Sequence, residues 1–374
     1  MHIGIDARLA ITNDRGHGKY IRGLINGLLS IDKQNEYFLY VDTQDTLMRL
    51  PCHANSHIIV VESCNYVYWE QIPFPRQLRE NKIDLVFLSN HTAPWFCPFP
   101  SVVTIHDVLY MDPISLRQPV RQIVGRLYKR LCAPRSARYA QNVLTDSEYS
   151  RQQIIKRIGI PAAKVNVIYA SIEPVFQQPK IGDDASAFLQ KHGLVSGEYM
   201  LCLGASDPRK NTLTILKVHQ YLRSEGLANI TLAISGMPRN EFNRLVSGTP
   251  NLSNLEKLAL TEFVTNEELT ILYQNAAVFL YISSGEGFGL PVLEAMACGT
   301  PVIASNNTSV PEIAGNAAKL VDPFAVAEIA QAVCQFLTDT HLRLEYVERG
   351  LNRVKEFAWE TVARRVIKVF ESAI

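Results

Sequence analysis

Glu286 and Glu294 stand eight residues apart in Ser284-Gly285-Glu286-Gly287-Phe288-Gly289-Leu290-Pro291-Val292-Leu293-Glu294. Glycines at 285, 287 and 289 let the backbone approach a ligand closely and take up φ > 0 without penalty. An apolar run, residues 276–282, precedes them, and Pro291 suits the first turn of a helix. The predicted arrangement is a strand end, a Gly-rich turn and a helix start whose free N–H groups form an anion site. Carboxylates only accept hydrogen bonds, so beside such a site they suit hydroxyls better than phosphate. A ligand carrying both phosphate and several hydroxyls, a nucleotide-sugar, meets both demands. The same residues also read as a plain strand–helix turn with two solvated glutamates; the carboxylate spacing favours the ligand-binding reading.

Three further groups carry chemistry. Arg209 and Lys210 follow a predicted strand at 200–203, just before a helix. An arginine offers phosphate a bidentate fork and a lysine a mobile point charge, whereas a merely solvated basic pair at a helix start is disfavoured by the helix dipole. His106 follows a buried strand at 102–105, beside Asp107. A neutral imidazole there would donate to a hydroxyl or offset charge in a transition state. Gly16 and Gly18 lie in a predicted loop between the first strand and a helix; simple turn chemistry explains them equally well, and their spacing to Gly23 is not that of a dinucleotide fingerprint.

The elements that must hold these residues follow a βαβ rhythm. Strands are expected at 3–5, 37–41, 57–61, 85–88, 102–105, 142–145 and 165–169, with helices at 20–29 and, interrupted by proline, 69–79. After a polar stretch at 177–184 the rhythm restarts, with strands at 200–203, 230–235, 278–282 and 301–304 and helices at 213–223, 266–275, 290–297, 325–337, 342–354 and 360–372. A chain of 374 residues exceeds one comfortable core. The expected organisation is α/β, with parallel sheets covered on both faces: an N-terminal Rossmann-like domain at 1–175, a C-terminal one at 176–355, and a final helix at 356–374 that could return to the first domain. Two such domains facing across a cleft would place a nucleotide in one and its reaction partner in the other.

Composition narrows the class. Net charge is +1 and charged residues make up 20%, which excludes bulk attraction to polyanions as the main theme. Seven scattered cysteines without a Cys-x-x-Cys pair argue against a disulfide framework or structural zinc and for a reducing compartment. With no leader-like start and no apolar run near the ~18 residues of a membrane span, the expected location is cytoplasmic, peripheral on the inner face of the membrane. The segment 117–138 supports that contact. It carries Arg117, Arg121, Arg126, Lys129, Arg130, Arg135 and Arg138, with no acidic residue between Asp112 and Asp146. Such a basic helix suits anionic headgroups or a lipid-linked diphosphate, and equally an ordinary solvated face. Nucleic acid is a poor fit.

The chain resembles the retaining glycosyltransferases of family 4, which have the GT-B fold. The resemblance runs through Gly4-Ile5-Asp6-Ala7-Arg8, Gly16-His17-Gly18-Lys19-Tyr20, Thr104-Ile105-His106-Asp107, Asp207-Pro208-Arg209-Lys210-Asn211, the two-glutamate stretch, 297–303 and Pro311-Glu312-Ile313-Ala314-Gly315. The opening and 286–297 look most like bacterial GDP-mannose-dependent mannosyltransferases of O-chain and capsule assembly. The resemblance implies that His106 contacts the donor sugar and that Gly16 and Gly18 approach the donor phosphates or the acceptor. It implies that Arg209 and Lys210 neutralise the leaving diphosphate, that Glu286 faces sugar hydroxyls and that Glu294 holds the ribose. The amides of Gly287, Phe288, Gly289 and Leu290 would cradle phosphate or sugar, and Ser235-Gly236 with Glu262-Phe263-Val264 would surround the base. Many family members carry a further arginine where this chain has Ala205 and Ser206, so neutralisation rests more on Arg209 and Lys210. With no Asp-x-Asp motif, no metal or other cofactor is expected. The implied reaction moves mannose from GDP-mannose to a lipid-linked saccharide with retention. A UDP-sugar donor in the same fold, or a non-catalytic nucleotide-sugar-binding subunit of an assembly complex, is the alternative.

Overall fold

Short runs of β-branched and aromatic residues form thirteen strands among the described residues of a computed structural model. It describes all residues except 13–15, 45–49, 64, 114–119, 179–182, 227–228, 250–251, 253 and 254, and the side chains of 121, 183 and 184. The chain divides into two units, Met1–Ile172 with Phe357–Ile374, and Glu173–Glu356.

Unit 1 holds β1 (His2–Asp6), β2 (Glu36–Val41), β3 (Ser56–Val60), β4 (Leu85–Leu88), β5 (Ser101–Thr104), β6 (Asn142–Thr145) and β7 (Val165–Val167). They lie in the order β3-β2-β1-β4-β5-β6-β7, and every pairing is parallel. Helices cover both faces of such a sheet, so its central strands are apolar throughout; Leu85, Val86, Phe87 and Leu88 are all buried. Unit 2 repeats the plan with β8 (Tyr199–Leu203), β9 (Thr231–Ser235), β10 (Leu258–Glu262), β11 (Val278–Tyr281), β12 (Val302–Ser305) and β13 (Ala318–Val321). Its order is β10-β9-β8-β11-β12-β13, again parallel. In each sheet the order reverses once, between β1 and β4 and between β8 and β11. Loops leaving the carboxyl ends on either side of such a reversal diverge and open a ligand crevice.

The last helix, Trp359–Ser372, belongs to unit 1. It packs on the helix Gly16–Ile31, where Gly23 and Gly27 leave a groove for Trp359. A Cβ on Gly23 would lie 2.1 Å from the indole, and one on Gly27 2.8 Å from the Trp359 carbonyl. The indole N–H donates to the Ile172 carbonyl at 2.9 Å, and Phe370 meets Phe87 with ring centroids 5.5 Å apart.

The structure departs from the sequence reading in several places. Gly16 and Gly18 are the opening residues of the helix Gly16–Ile31, not a loop before it. The apolar periodicity read from residue 20 therefore extends back by about one turn, and Gly18 is buried. The helical stretch expected at 69–79 with a proline interruption starts three residues earlier and is divided into Tyr66–Gln71 and Pro73–Glu80, because Pro73 lacks the N–H that would continue the first. The basic segment folds as the helix Val120–Tyr139, but its cations are mostly turned to the protein. Arg126 donates to the carbonyls of Leu109 (3.0 Å) and Asp112 (2.8 Å), and Arg130 to those of Tyr110 (2.8 Å) and Asp112. Lys129 is held near Asn90 at 3.3 Å, where burial pushes its pKa down. Arg117 and the Arg121 side chain lie outside the described residues. Among the described residues, no helix is long and apolar enough to cross a membrane.

Candidate active site

Unit 2 assembles its chemistry at the β8/β11 reversal. After β8 the chain makes a short turn, Pro208–Lys210, capped by Asp207, whose carboxylate accepts from the Arg209 amide at 3.0 Å. The same carboxylate takes the Arg209 guanidinium at 2.6 Å through Nη2 and 3.1 Å through Nε. Burial pushes the Asp207 carboxyl up, but Arg209 and its amide hold it below the usual range. The Arg209 carbonyl accepts from the Ser284 amide and the Ser283 hydroxyl, each at 2.7 Å, which ties this turn to the loop after β11. Asn211 sits in the left-handed region (φ 56°), from where its side-chain amide reaches the Ile282 carbonyl at 3.1 Å and that of Pro323 at 2.6 Å. Lys210 Nζ donates to Glu286 Oε1 at 2.8 Å and lies 5.3 Å from the centre of the Tyr281 ring. The cationic pair and the first glutamate thus form one cluster.

The Gly-rich turn runs from that cluster into the helix Leu290–Ala297. Gly289 has φ 120°, which a side chain would strain, and no side chain caps the helix start. Ser309 Oγ lies 2.8 Å from the Phe288 carbonyl and 3.1 Å from that of Glu286, fixing the turn from behind. Glu294 is buried in the helix, where it accepts from the Tyr273 hydroxyl at 3.3 Å. Neither glutamate is a solvated surface residue: one is ion-paired and the other buried. At the β9 and β10 ends, the Gly236 amide donates to the Glu262 carbonyl at 2.5 Å. The next residue, Phe263, is 61% exposed.

Unit 1 gathers three histidines at the carboxyl ends of its sheet. His106, two residues beyond β5, is buried. Its Nδ1 meets Asp146 Oδ2 at 2.6 Å and its Nε2 the Ser89 carbonyl at 3.1 Å. Both partners are acceptors, so an imidazolium with a proton on each nitrogen is the form that satisfies both. Burial alone would lower the His106 pKa; the Asp146 charge and hydrogen bond raise it above the ordinary value. This differs from the neutral, sugar-donating imidazole expected from the sequence, since both of its N–H groups are already engaged. His17 stacks on His106 with centroids 4.4 Å apart, and His91 meets it edge-on at 5.5 Å. Burial, reinforced by His106 and Lys129, holds both well below the usual histidine range, so they are neutral. His91 Nδ1 is buried with no hydrogen-bond partner among the described residues. Alongside, Asp6 pairs with Arg8 at 2.6 Å, and the Arg8 guanidinium stacks 3.7 Å over the Trp69 ring.

Among the described residues, His17, His91 and Asp107 form a group with ligand atoms within 4.8 Å of one another, a spacing able to hold a metal ion. The neighbouring imidazolium and Lys129 oppose a divalent cation there. Sequence reasoning gave no role to Asp207, Asp146, His17, His91 or Ser309, although Asp207 and His17 stand inside motifs that carry the resemblance. Asp146 had a signal: it follows the buried run 142–145 just as His106 follows 102–105.

Residues 16–175 match the family model described as Glycosyltransferase Family 4, and residues 185–353 match Glycosyl transferases group 1. The O-antigen chain mannosyltransferase B of Escherichia coli is 32% identical over 273 residues, covering 72% of this chain and 70% of that protein. The chain is a family 4 glycosyltransferase. This glycosyltransferase is also 29% identical over 261 residues to the O-antigen chain mannosyltransferase RfbU of Salmonella typhimurium, across 69% of its own length and 65% of the relative's. Its fold is that of HepE from Anabaena, solved in complex with UDP (TM-score 0.72, 17% identity, 99% of both chains). It is also that of WaaG, a glycosyltransferase involved in lipopolysaccharide biosynthesis (TM-score 0.71, 15% identity, 99% of both chains). The glycosyltransferase therefore has two Rossmann-like domains of the GT-B class.

Proposed function

We propose that this glycosyltransferase moves mannose from GDP-mannose, with retention, onto a lipid-linked saccharide during assembly of a bacterial surface polysaccharide. The observation that carries the reading is the Arg209–Lys210–Glu286 cluster at the β8/β11 reversal, beside an uncapped helix start. The names of the two O-antigen relatives support the mannosyl assignment.

On this reading the ion pairs are a resting arrangement. A diphosphate entering the crevice draws Lys210 from Glu286 and the Arg209 fork from Asp207, and both cations then stabilise the charge that grows as the glycosidic bond breaks. Stabilisation of this kind supplies several kcal/mol. Glu286, relieved of Lys210, accepts from donor-sugar hydroxyls, while Glu294 holds the ribose and Phe263 lies against the base. In unit 1, His106 remains a fixed charge that orients His17 and His91, and the unengaged Nδ1 of His91 is offered to a sugar hydroxyl. Gly16 and Gly18 open the helix whose first turn carries His17. No divalent ion is needed, because two cations and a helix start already face the diphosphate. The leaving phosphate assists removal of the acceptor proton on the same face. The protein works in the cytoplasm, at the inner surface of the membrane that carries its acceptor.

A donor panel with purified protein tests this, scored by nucleotide release and product mass with and without a chelator. GDP release from GDP-mannose, unchanged by chelation, is expected, with an α-linked product by NMR. Turnover of UDP-sugars alone would remove the mannose assignment. Loss of activity on chelation would remove the metal-free mechanism, and nucleotide binding without turnover would favour a non-catalytic subunit.

A further inference from the structure

The helix Val120–Tyr139 turns the wrong face to water for an ordinary surface helix. Val120, Val124, Leu127 and Leu131 recur at helical spacing, on one stripe. They are 75%, 57%, 46% and 70% exposed. Two neighbouring segments extend this stripe. Tyr68 and Ile72, at the helix Tyr66–Gln71, are exposed, as are Trp95 and Phe96 in the loop before β5. The three segments are bound side by side: Gln71 donates to the Tyr128 hydroxyl at 2.8 Å and accepts from the Trp95 amide at 2.6 Å, and Arg135 donates to the Trp95 carbonyl at 2.9 Å. A cavity of about 580 Å³ shares this face, lined by Phe96, Phe99, Arg79, Arg135 and Tyr139 among others. Contiguous exposed apolar surface on this scale marks an interaction site.

Charge selects the occupant. No acidic residue lies between Asp112 and Asp146. At the end of the stripe the Arg135 guanidinium sits between the Trp95 and Tyr139 rings, 4.5 and 4.3 Å from their centres. Aliphatic residues along a helix, ringed by amphipathic Trp and Tyr and by arginine, match the acyl boundary and anionic headgroups of a bilayer. We infer that this face of unit 1 docks on an anionic lipid bilayer through Trp95, Phe96 and the Val120–Leu131 stripe. Arg135 and Arg138, which themselves donate to the Trp95 and Ile158 carbonyls at 2.9 and 3.0 Å, bring their charge to the headgroup level at the end of the stripe. The inference deepens the lipid-linked acceptor reading by naming how the enzyme reaches its membrane.

Co-sedimentation with vesicles of phosphatidylcholine, with and without phosphatidylglycerol, tests it on the full chain. The wild type should bind the phosphatidylglycerol vesicles more tightly, and added salt should weaken binding. Phe96→Ser with Leu131→Ser should lower that affinity at least about tenfold, leaving thermal unfolding and transfer to a water-soluble saccharide unchanged. Val120→Ser with Val124→Ser, at the other end of the stripe, should act in the same direction. Undiminished sedimentation of both double variants overturns the inference. So does a wild type that binds neither vesicle but forms a dimer which these substitutions dissociate, because a second copy would then own the face. A failed transferase reading shows differently, as no nucleotide released from any donor whatever the vesicle result.

Discussion

Lys210 Nζ pairs with Glu286 Oε1 at 2.8 Å, and on the proposed reading a donor diphosphate competes for that ammonium. Lys210→Ala should lower kcat by more than about tenfold while the donor KM changes less, as expected for a contact that strengthens in the transition state. Steady-state kinetics with the active donor measures it, and an unchanged kcat would contradict the phosphate role. The histidine stack makes a separate prediction about pH. His106 has a raised folded-state pKa, so its stabilisation is complete below its unfolded value of about 6.5 and is lost as pH rises through the folded value. His17 and His91 are shifted the other way, so they weaken the fold below about pH 6.5 and cease to do so above it. In Asp146→Asn, the decline of stability on the alkaline side should disappear while the acid-side loss remains. Urea midpoints across this pH range would show the change in shape.

At the scale of elements, two helices interlock where glycine makes room for tryptophan. Gly23→Ala should cost about 1–3 kcal/mol, because the added methyl has no place beside the Trp359 ring. In a Trp359→Ala background the same change should cost much less, and a double-mutant cycle reads the coupling directly. Additive effects would mean the two helices do not meet there. The glycine pattern explains part of what the sequence made legible. Strands such as 85–88 and 142–145 stand out because a parallel sheet covered on both faces demands unbroken apolar runs. The strands β10 and β13 escaped notice because Leu258–Glu262 and Ala318–Val321 break that run with Thr261 and Lys319. The Gly-rich turn and the basic pair were visible as local motifs. Their direct ion pair was not, since Lys210 and Glu286 are 76 residues apart and only the sheet order brings them together. The partner of His106 was hidden for the same reason, at a separation of 40 residues.

The whole molecule has a discontinuous architecture: unit 1 is built from both ends of the chain and unit 2 from its middle. Deleting residues 357–374 removes Trp359 and Phe370 from unit 1 and takes nothing from the unit 2 core, which centres on Met200, Leu216, Val278 and Phe336. Calorimetry of the truncated protein should show the unit 1 transition lowered or lost and the unit 2 transition retained. Nucleotide binding to the Arg209–Lys210 cluster should survive. A single transition, shifted as a whole, would show that the units unfold together.

This chain order also governs the protein's birth on the ribosome. The middle unit has all its strands as soon as about residue 356 emerges, whereas the first unit, though synthesised earlier, waits for the final helix to close over Gly23 and Gly27. Until then its open groove stands bare in the cell. Chaperones should therefore engage the nascent amino-terminal half for longer than the half made after it.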